Sequence, residues 1–130
     1  MAGDQITVVL VEDNDIFRES LELLLGTVPD LFVAAAVPDG RSALEVCARV
    51  KPDVVLMDYR LPELDGVETT AAIGKACPTA AVVVLTATAE SEEVDALYDA
   101  GAVACLTKDR ELDDIVGAVR AAAERGAALR

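Results

Sequence analysis

The stretch Asp53-Val54-Val55-Leu56-Met57-Asp58 decides the fold of this 130-residue chain. Its four central residues are all apolar, without the polar alternation of a strand that has one face in water, which is typical of a β-strand covered on both faces. Lys51-Pro52 stands directly before this stretch and is expected to end a helix. Strands covered on both faces form parallel sheets with helices on either side, so the segment predicts an α/β fold.

Similar short runs of β-branched and aliphatic residues recur along the chain and alternate with amphipathic helical segments. The predicted strands are residues 6–11, 31–36, 53–57, 80–85 and 103–107. Five βα repeats joined by short links predict one (βα)5 domain, a doubly wound parallel sheet with right-handed crossovers. A chain of 130 residues has the length of a single domain.

The helical segments carry apolar faces and end at typical capping residues. In the first helix, Phe17, Leu21, Leu24 and Leu25 lie at i, i+4, i+7 and i+8, which predicts one buried face. The predicted caps are Asp65 and Asp109 at helix starts, and Gly26, Lys51-Pro52 and Gly101 at helix ends. Helices are therefore expected to fill the intervals between the strands.

The composition limits the function. The chain has 24 acidic and 11 basic residues and a net charge of −13, so its surface repels nucleic-acid phosphates and anionic lipids. It has no histidine, which excludes histidine-based acid–base catalysis, metal ligation and phosphorylation. Three widely spaced cysteines, and the absence of a leader or an apolar run long enough to cross a bilayer, favour a reduced, cytoplasmic protein with no membrane partner.

Polar side chains stand at the carboxyl ends of four of the five predicted strands. They are Glu12, Asp13, Asp58, Thr86 and Lys108. Each one alone has an ordinary explanation, such as a solvated carboxylate or a helix cap. Ligands of open α/β sheets, however, bind at this edge, where the order of the strands reverses. Three carboxylates with a hydroxyl and an ammonium group are suited to a hard cation together with an anion.

Elementary electrostatics narrows the chemistry of such a cluster. Two carboxylates about 4 Å apart repel each other by roughly 4 kcal/mol at an effective dielectric constant of 20, so the cluster needs a cation. Oxygen ligands without imidazole or thiolate favour Mg²⁺, which also recruits phosphate oxygens. A carboxylate can itself accept a phosphoryl group. The cluster is therefore compatible with a magnesium-dependent aspartyl phosphate.

Four segments together resemble the receiver domains of response regulators in two-component signalling. They are residues 9–14, 54–66, 84–87 and 106–109, in the order and with the spacing of that family. The resemblance covers about residues 6–124, which implies a single receiver domain over 1–130 and leaves 125–130 as a helix end or the start of a linker. Phe17-Arg18-Glu19-Ser20-Leu21, Asp39-Gly40 and Gly101-Ala102 are similar to the NarL/FixJ-like subgroup. The fold implied is flavodoxin-like, with strand order 2-1-3-4-5.

The resemblance also implies a role for each residue of the cluster. Asp58 would be the phosphoacceptor and a metal ligand. Asp13 would bind Mg²⁺ directly, Glu12 directly or through water, and Arg60 through its backbone carbonyl. The phosphoryl oxygens would be bound by the Thr86 hydroxyl, the Lys108 ammonium and the backbone amide of Ala87. Pro62 and Gly66 would shape the loop after Asp58.

One position departs from the family pattern. Receivers commonly carry Tyr or Phe three residues before the lysine, and this aromatic side chain moves inward when the threonine moves toward the phosphoryl group. Here that position is Cys105. We expect the phosphorylation chemistry to survive, because Cys105 is not a ligand, but the resemblance no longer implies switching through an aromatic side chain.

The function implied is that of a signalling switch rather than a turnover enzyme. A sensor histidine kinase would transfer the phosphoryl group to Asp58, and the domain would assist only its own phosphorylation and dephosphorylation. The resemblance also implies that the fourth helix, fifth strand and fifth helix would form the output surface, which would bind a second copy or a partner. Members of the subgroup usually carry a C-terminal helix-turn-helix domain, so DNA binding and transcription regulation are expected only through such a domain.

Other functions fit parts of the same pattern. A stand-alone receiver, or a pseudo-receiver that acts only as a protein-interaction module, would show the same fold. A haloacid-dehalogenase-like phosphatase also uses an Asp nucleophile at a strand end. It needs a second Asp two residues later, where this chain has Arg60, so the sequence argues against a phosphatase.

Overall fold

A computed structural model of the chain describes residues 5–62, 64–87 and 90–128, with side chains described as far as residue 125. Strands and helices alternate strictly over these ranges. The elements are β1 (Ile6–Val11), α1 (Asp15–Gly26), β2 (Leu31–Val37), α2 (Gly40–Val50), β3 (Val54–Asp58), α3 (Gly66–Ala76), β4 (Ala81–Thr86), α4 (Ser91–Ala100), β5 (Ala104–Thr107) and α5 (Leu112–Ala128).

The strands form one parallel sheet in the order β2-β1-β3-β4-β5. The predicted α/β class, the (βα)5 repeat and the strand order 2-1-3-4-5 are confirmed. The chain winds outward in one direction from β1 to β2 and in the other from β1 to β3, so the order reverses beside β1. This reversal opens the crevice in which sheets of this kind bind ligands.

The central strand β3 is buried along its whole length, because helices cover both faces of the sheet. Leu56 belongs to an apolar cluster beneath α1 and α5, whereas Met57 belongs to a second cluster beneath α2, α3 and α4. Alternate residues of one strand thus feed two cores, which explains why the stretch 54–57 carries no polar alternation.

The strand bounds differ from the prediction by one residue at several ends. Asp58 and Thr86 are the last residues of β3 and β4, because their backbones still pair with Leu85 and Thr107. The other differences are the extension of β2 to Val37 and the later starts of β3, β4 and β5 at Val54, Ala81 and Ala104. The polar side chains at the strand ends are therefore held by the sheet itself.

The predicted caps are confirmed at three helix ends. The Asp65 carboxylate accepts a hydrogen bond of 2.9 Å from the backbone N–H of Glu68, and thereby caps α3. Lys51 ends α2 in the left-handed region with φ 53°, and Gly101 ends α4 with φ 117°. The prediction of Gly26 as the cap of α1 is wrong by one residue: Gly26 is still helical, and the residue after it is the cap, with a backbone N–H that bonds to carbonyls of the last helical turn.

The predicted start of α5 at Asp109 is wrong. The backbone N–H of Arg110 donates to the carbonyl of Thr107 at 3.2 Å, so Asp109 lies inside a turn and the helix begins at Leu112. The helix continues to Ala128, and residues 129–130 lie outside the described ranges. Within the described ranges, no helix is long and apolar enough to cross a membrane.

The apolar face of α1 is narrower than predicted. Leu21 and Leu25 are buried, whereas Leu24 is 48% exposed. At 100° per residue Leu24 lies at the margin of the stripe centred between those two leucines, where the sheet no longer covers it. Phe17, at the start of the stripe, is half-buried at the edge of the core.

Candidate functional site

The carboxyl ends of β1, β3, β4 and β5 lie level at one edge of the sheet. The pairs at this edge are Val11 with Met57, Asp58 with Leu85, and Thr86 with Thr107. Residues that end these strands, or that follow them directly, therefore meet in space. The register brings together Glu12 and Asp13 from β1, Asp58 from β3 and Lys108 from β5, as the sequence predicts.

The three acidic side chains form one compact group. Carboxylate oxygens of Glu12, Asp13 and Asp58 all lie within 4.8 Å of one another. Glu12 is 1% exposed and Asp58 is 5% exposed, whereas Asp13 is exposed to solvent. A cation bound by these oxygens would rest on two buried carboxylates and would be reached past Asp13.

Lys108 supplies the positive charge that faces this group. Its Nζ lies 2.7 Å from Glu12 Oε1 and 3.1 Å from Asp58 Oδ2. Burial lowers the pKa of Lys108, but the hydrogen bonds to Glu12 and Asp58 outweigh burial and hold this pKa above its ordinary value. The backbone N–H of Lys108 donates to the Thr86 carbonyl at 2.8 Å, which ties the lysine to the end of β4.

The first turn of α1 holds Glu12 from several sides. The backbone N–H of Asn14 donates to Glu12 Oε2 at 3.0 Å, and Arg18 Nη1 donates to the Glu12 carbonyl at 2.8 Å. The ring of Phe17 lies beneath Lys108, with 4.7 Å between Nζ and the ring centroid. Sequence reasoning did not assign Phe17 or Arg18 to the site. Their position in the turn directly after the acidic pair was the signal that could have indicated them.

The loop after Asp58 is folded tightly against its own strand. The backbone N–H of Arg60 donates to Asp58 Oδ1 at 3.3 Å, and the N–H of Gly66 donates to the Tyr59 carbonyl at 2.8 Å. A Cβ at Gly66 would lie 2.9 Å from the Tyr59 backbone, so only glycine fits this approach. The carbonyl of Pro62 accepts a hydrogen bond of 2.8 Å from the backbone N–H two residues later. Pro62 and Gly66 thus shape this loop, whereas ligation by the Arg60 carbonyl stays a prediction.

Thr86 and Ala87 lie at the end of β4, beside the acidic group. Thr86 is 4% exposed and Ala87 is exposed. Their binding to phosphoryl oxygens stays a prediction.

The residues of this site lie within the part of the chain that matches a known family. Residues 8–120 fit the family model described as the response regulator receiver domain. The chain belongs to this family.

Relatives of this receiver domain support the subgroup that the sequence indicates. The transcriptional regulatory protein DegU of Brevibacillus brevis is 32% identical over 124 residues, which cover 95% of the chain and 52% of DegU. The solved receiver domain of the response regulator NarL from Mycobacterium tuberculosis is 33% identical and has a TM-score of 0.88, over 93% of the chain and 98% of that domain. The resemblance to NarL-like response regulators is confirmed.

Relatives with other outputs share the same domain. A protein-glutamate methylesterase/protein-glutamine glutaminase of Syntrophus aciditrophicus is 36% identical over 92% of the chain, but over only 37% of its own length. The receiver domain spans about half the length of DegU and less of the methylesterase. Similarity in this domain therefore does not specify what a receiver controls.

Cys105, which stands where receivers commonly have an aromatic residue, is contacted by a side chain of α4. Cys105 is half-buried on β5, where it pairs with Val84. Burial raises the pKa of the Cys105 thiol, and a hydrogen bond with the Tyr98 side chain opposes this rise. An aromatic side chain of α4 thus contacts the residue that replaces the family's usual aromatic on β5.

Proposed function

We propose that this receiver domain accepts a phosphoryl group on Asp58 from a histidine kinase and acts as a phosphorylation-dependent switch. The observation that carries the proposal is the ion-pair geometry at the sheet edge. One ammonium group, that of Lys108, lies within 3.1 Å of Asp58 and within 2.7 Å of Glu12. The same two carboxylates share a possible cation position with Asp13.

The transfer would need little rearrangement of the protein. A carboxylate oxygen of Asp58 forms a bond to phosphorus while the phosphorus–nitrogen bond to the kinase imidazole breaks, and the imidazole nitrogen keeps the electron pair of that bond and takes a proton from water. Lys108 remains protonated and moves from the carboxylate to a phosphoryl oxygen. The hydroxyl of Thr86 and the amide of Ala87 bind the other phosphoryl oxygens.

The donor atoms at the site fit Mg²⁺ as the resident cation. They are carboxylate oxygens, two of them buried and one exposed, which suits a hard cation that keeps some of its water. Glu12, Asp13, Asp58 and the Arg60 carbonyl would hold it. When bound, Mg²⁺ neutralises the carboxylates and lowers the repulsion between them and the phosphoryl group.

The whole protein is proposed to regulate transcription in the cytoplasm. DegU is a transcriptional regulatory protein, and this together with the structural likeness to the NarL receiver supports the proposal. A separate C-terminal domain would bind the DNA. In this proposal residues 1–130 are the receiver unit, and its α4-β5-α5 surface carries the signal by forming a homodimer. The receiver itself assists only its own phosphorylation and dephosphorylation and turns over no other substrate.

Incubation with acetyl phosphate and Mg²⁺ tests the proposal. We expect a single phosphoryl adduct, which borohydride reduction and peptide mass spectrometry locate at Asp58. The adduct should be absent in Asp58→Asn and in EDTA. Asp95→Asn removes an exposed carboxylate of α4 outside the site, and serves as the matched control that still forms the adduct.

Two results would contradict the proposal. An adduct that persists in Asp58→Asn would place the acceptor elsewhere. No adduct with acetyl phosphate, phosphoramidate or a phosphorylated histidine kinase would favour the pseudo-receiver, a module that binds partners without phosphorylation.

A further inference from the structure

The ammonium group of Lys108 has a third neighbour besides its two carboxylates. Its Nζ lies 4.7 Å from the centroid of the Phe17 ring. An ammonium group within about 6 Å of an aromatic centroid is attracted by the electron-rich face of the ring. The lysine side chain is 26% exposed, so part of this attraction acts outside bulk water.

The Phe17 ring is fixed by both its backbone and its core contacts. The Asn14 side chain accepts a hydrogen bond of 2.9 Å from the Phe17 N–H, and this bond sets the start of α1. The ring packs against the apolar cluster that contains Leu21 and Leu25. Phe17 therefore offers Lys108 a rigid surface, whereas the lysine reaches the site on a flexible four-carbon chain.

An aromatic ring is chemically suited to holding the Lys108 ammonium beside the carboxylates. Glu12 and Asp58 attract Lys108 but, as anions, they also repel an incoming phosphoryl group. The face of Phe17 attracts the ammonium group without net charge and without a lone pair that could compete for a cation. The ring also lies on α1, so its contact with Lys108 does not depend on the carboxylate that reacts.

We propose that Phe17 is a positioning residue, which holds the Lys108 ammonium beside Asp58 while the lysine exchanges the carboxylate for a phosphoryl oxygen. The proposal rests on the proposed phosphoacceptor function. It concerns the side chain that orients Lys108 and assigns no chemistry to Phe17 itself.

Three variants separate positioning from packing. Phe17→Leu keeps an apolar side chain in the core but removes the ring, and Phe17→Tyr keeps the ring. Leu21→Val loosens the same core cluster one helical turn away, outside the site. For each protein we would measure the rate of phosphorylation by acetyl phosphate at saturating Mg²⁺, the Mg²⁺ concentration for half-maximal rate, and the ring-current shift of the Lys108 ε-methylene protons.

We expect Phe17→Leu to slow phosphorylation about two- to fivefold, the rate equivalent of a partly exposed cation–π contact. The half-saturating Mg²⁺ concentration should stay unchanged, because the three carboxylates are intact. The ring-current shift should vanish in Phe17→Leu. It should persist in Phe17→Tyr and Leu21→Val, and both of these should be phosphorylated at close to the wild-type rate.

The outcomes distinguish the two proposals. A wild-type protein that accepts no phosphoryl group overturns the phosphoacceptor function. If the wild type is phosphorylated and Phe17→Leu reacts at the same rate, or if Leu21→Val is slowed equally, the positioning role of Phe17 is wrong and the phosphoacceptor function stands. Loss of rate in Phe17→Tyr as well would also contradict a role for the ring face.

Discussion

Lys108 Nζ lies closer to Glu12 Oε1, at 2.7 Å, than to Asp58 Oδ2, at 3.1 Å. Glu12 is 1% exposed, so its charge has little access to water. The residue implied as a metal ligand is therefore also the nearest anion of the lysine. We therefore expect Lys108 to stabilise the folded domain as well as to face the site, and the two roles can be measured separately.

We expect Lys108→Met to destabilise the protein in EDTA by about 2–3 kcal/mol. Removal of the cation leaves the buried carboxylates of Glu12 and Asp58 without their partner, which costs more than the loss of an exposed ion pair. The loss should shrink when saturating Mg²⁺ neutralises the carboxylates. Urea unfolding with and without Mg²⁺ measures both effects.

Lys75→Met is the control for this experiment, because Lys75 is exposed on α3 away from the site. It should change the free energy of unfolding by no more than about 0.5 kcal/mol. Equal effects of the two substitutions would show that Lys108 contributes no more than an ordinary surface lysine.

Asp58→Asn should raise the free energy of unfolding, in contrast to Lys108→Met. Three carboxylates face one ammonium group, so removal of one negative charge relieves more repulsion than it loses attraction, given that Lys108 keeps its shorter contact with Glu12. We expect a gain in EDTA of about 1–2 kcal/mol. Urea unfolding of Asp58→Asn measures this gain, with Asp95→Asn as the control variant outside the site. A destabilised Asp58→Asn would mean that the attraction between Lys108 and Asp58 is the stronger effect.

Fold and site were not equally predictable from the sequence. The fold was predictable, because β3 is covered on both faces and must be apolar at Val54, Val55, Leu56 and Met57. The strand bounds were less predictable, since hydrophobic periodicity does not show whether a polar residue such as Asp58 still pairs in the sheet. The start of α5 was missed because the turn after β5 occupies two more residues than a cap at Asp109 allows.

Within the site, the residues at the strand ends were predictable and their supports were not. The sheet edge and the family resemblance both indicate Glu12, Asp58 and Lys108. The contact of Phe17 with Lys108 depends on how far α1 leans over the sheet, which the spacing of apolar residues does not encode. That spacing assigns Phe17 only to the core face, and says nothing of a cation above its ring.

Alkaline pH should weaken the fold through Cys47. Burial raises the pKa of the Cys47 thiol to about 11, and the neighbouring Cys77 adds to the rise. An acid that holds its proton more tightly when folded contributes stability below its unfolded pKa, which is 9.0 for this thiol, and loses that contribution as the pH rises to the folded value. We expect a loss from this thiol of about 2–3 kcal/mol between these values.

Urea unfolding at pH 8 and at pH 10.5 measures this loss. Cys47→Ala is less stable at both pH values because it leaves a cavity, but the difference between the two should be smaller than in the wild type. Val46→Ala makes a comparable cavity in the same helix and should keep the full difference. The contribution of Lys108, which also declines at high pH, is common to all three proteins. An unchanged difference in Cys47→Ala would exclude the thiol as its source.

Two glycines should respond to alanine in opposite ways. A Cβ at Gly40 would lie 2.5 Å from Thr69 Oγ1, and Thr69 is fully buried with a β-branched side chain that cannot turn away. Gly40→Ala should therefore destabilise by about 1–3 kcal/mol. Among the described residues, no atom outside the backbone of α3 lies within 4 Å of a Cβ at Gly74, so Gly74→Ala should stabilise by about 0.5–1 kcal/mol. Thermal unfolding of both variants checks the two signs, and Thr69→Ala should rescue Gly40→Ala.

The hydrogen bond between Glu12 and Lys108 joins residues 96 positions apart in the chain. A ribosome makes the acidic pair among the first residues of the domain and the lysine among the last, so a nascent chain carries half of the site until β5 has emerged. Parallel strands pair slowly, because each pair closes over a whole helix. Competence to accept a phosphoryl group thus arises late in the folding of this domain, and a kinase that depends on this site would meet only receivers that have been synthesised past β5 and have folded.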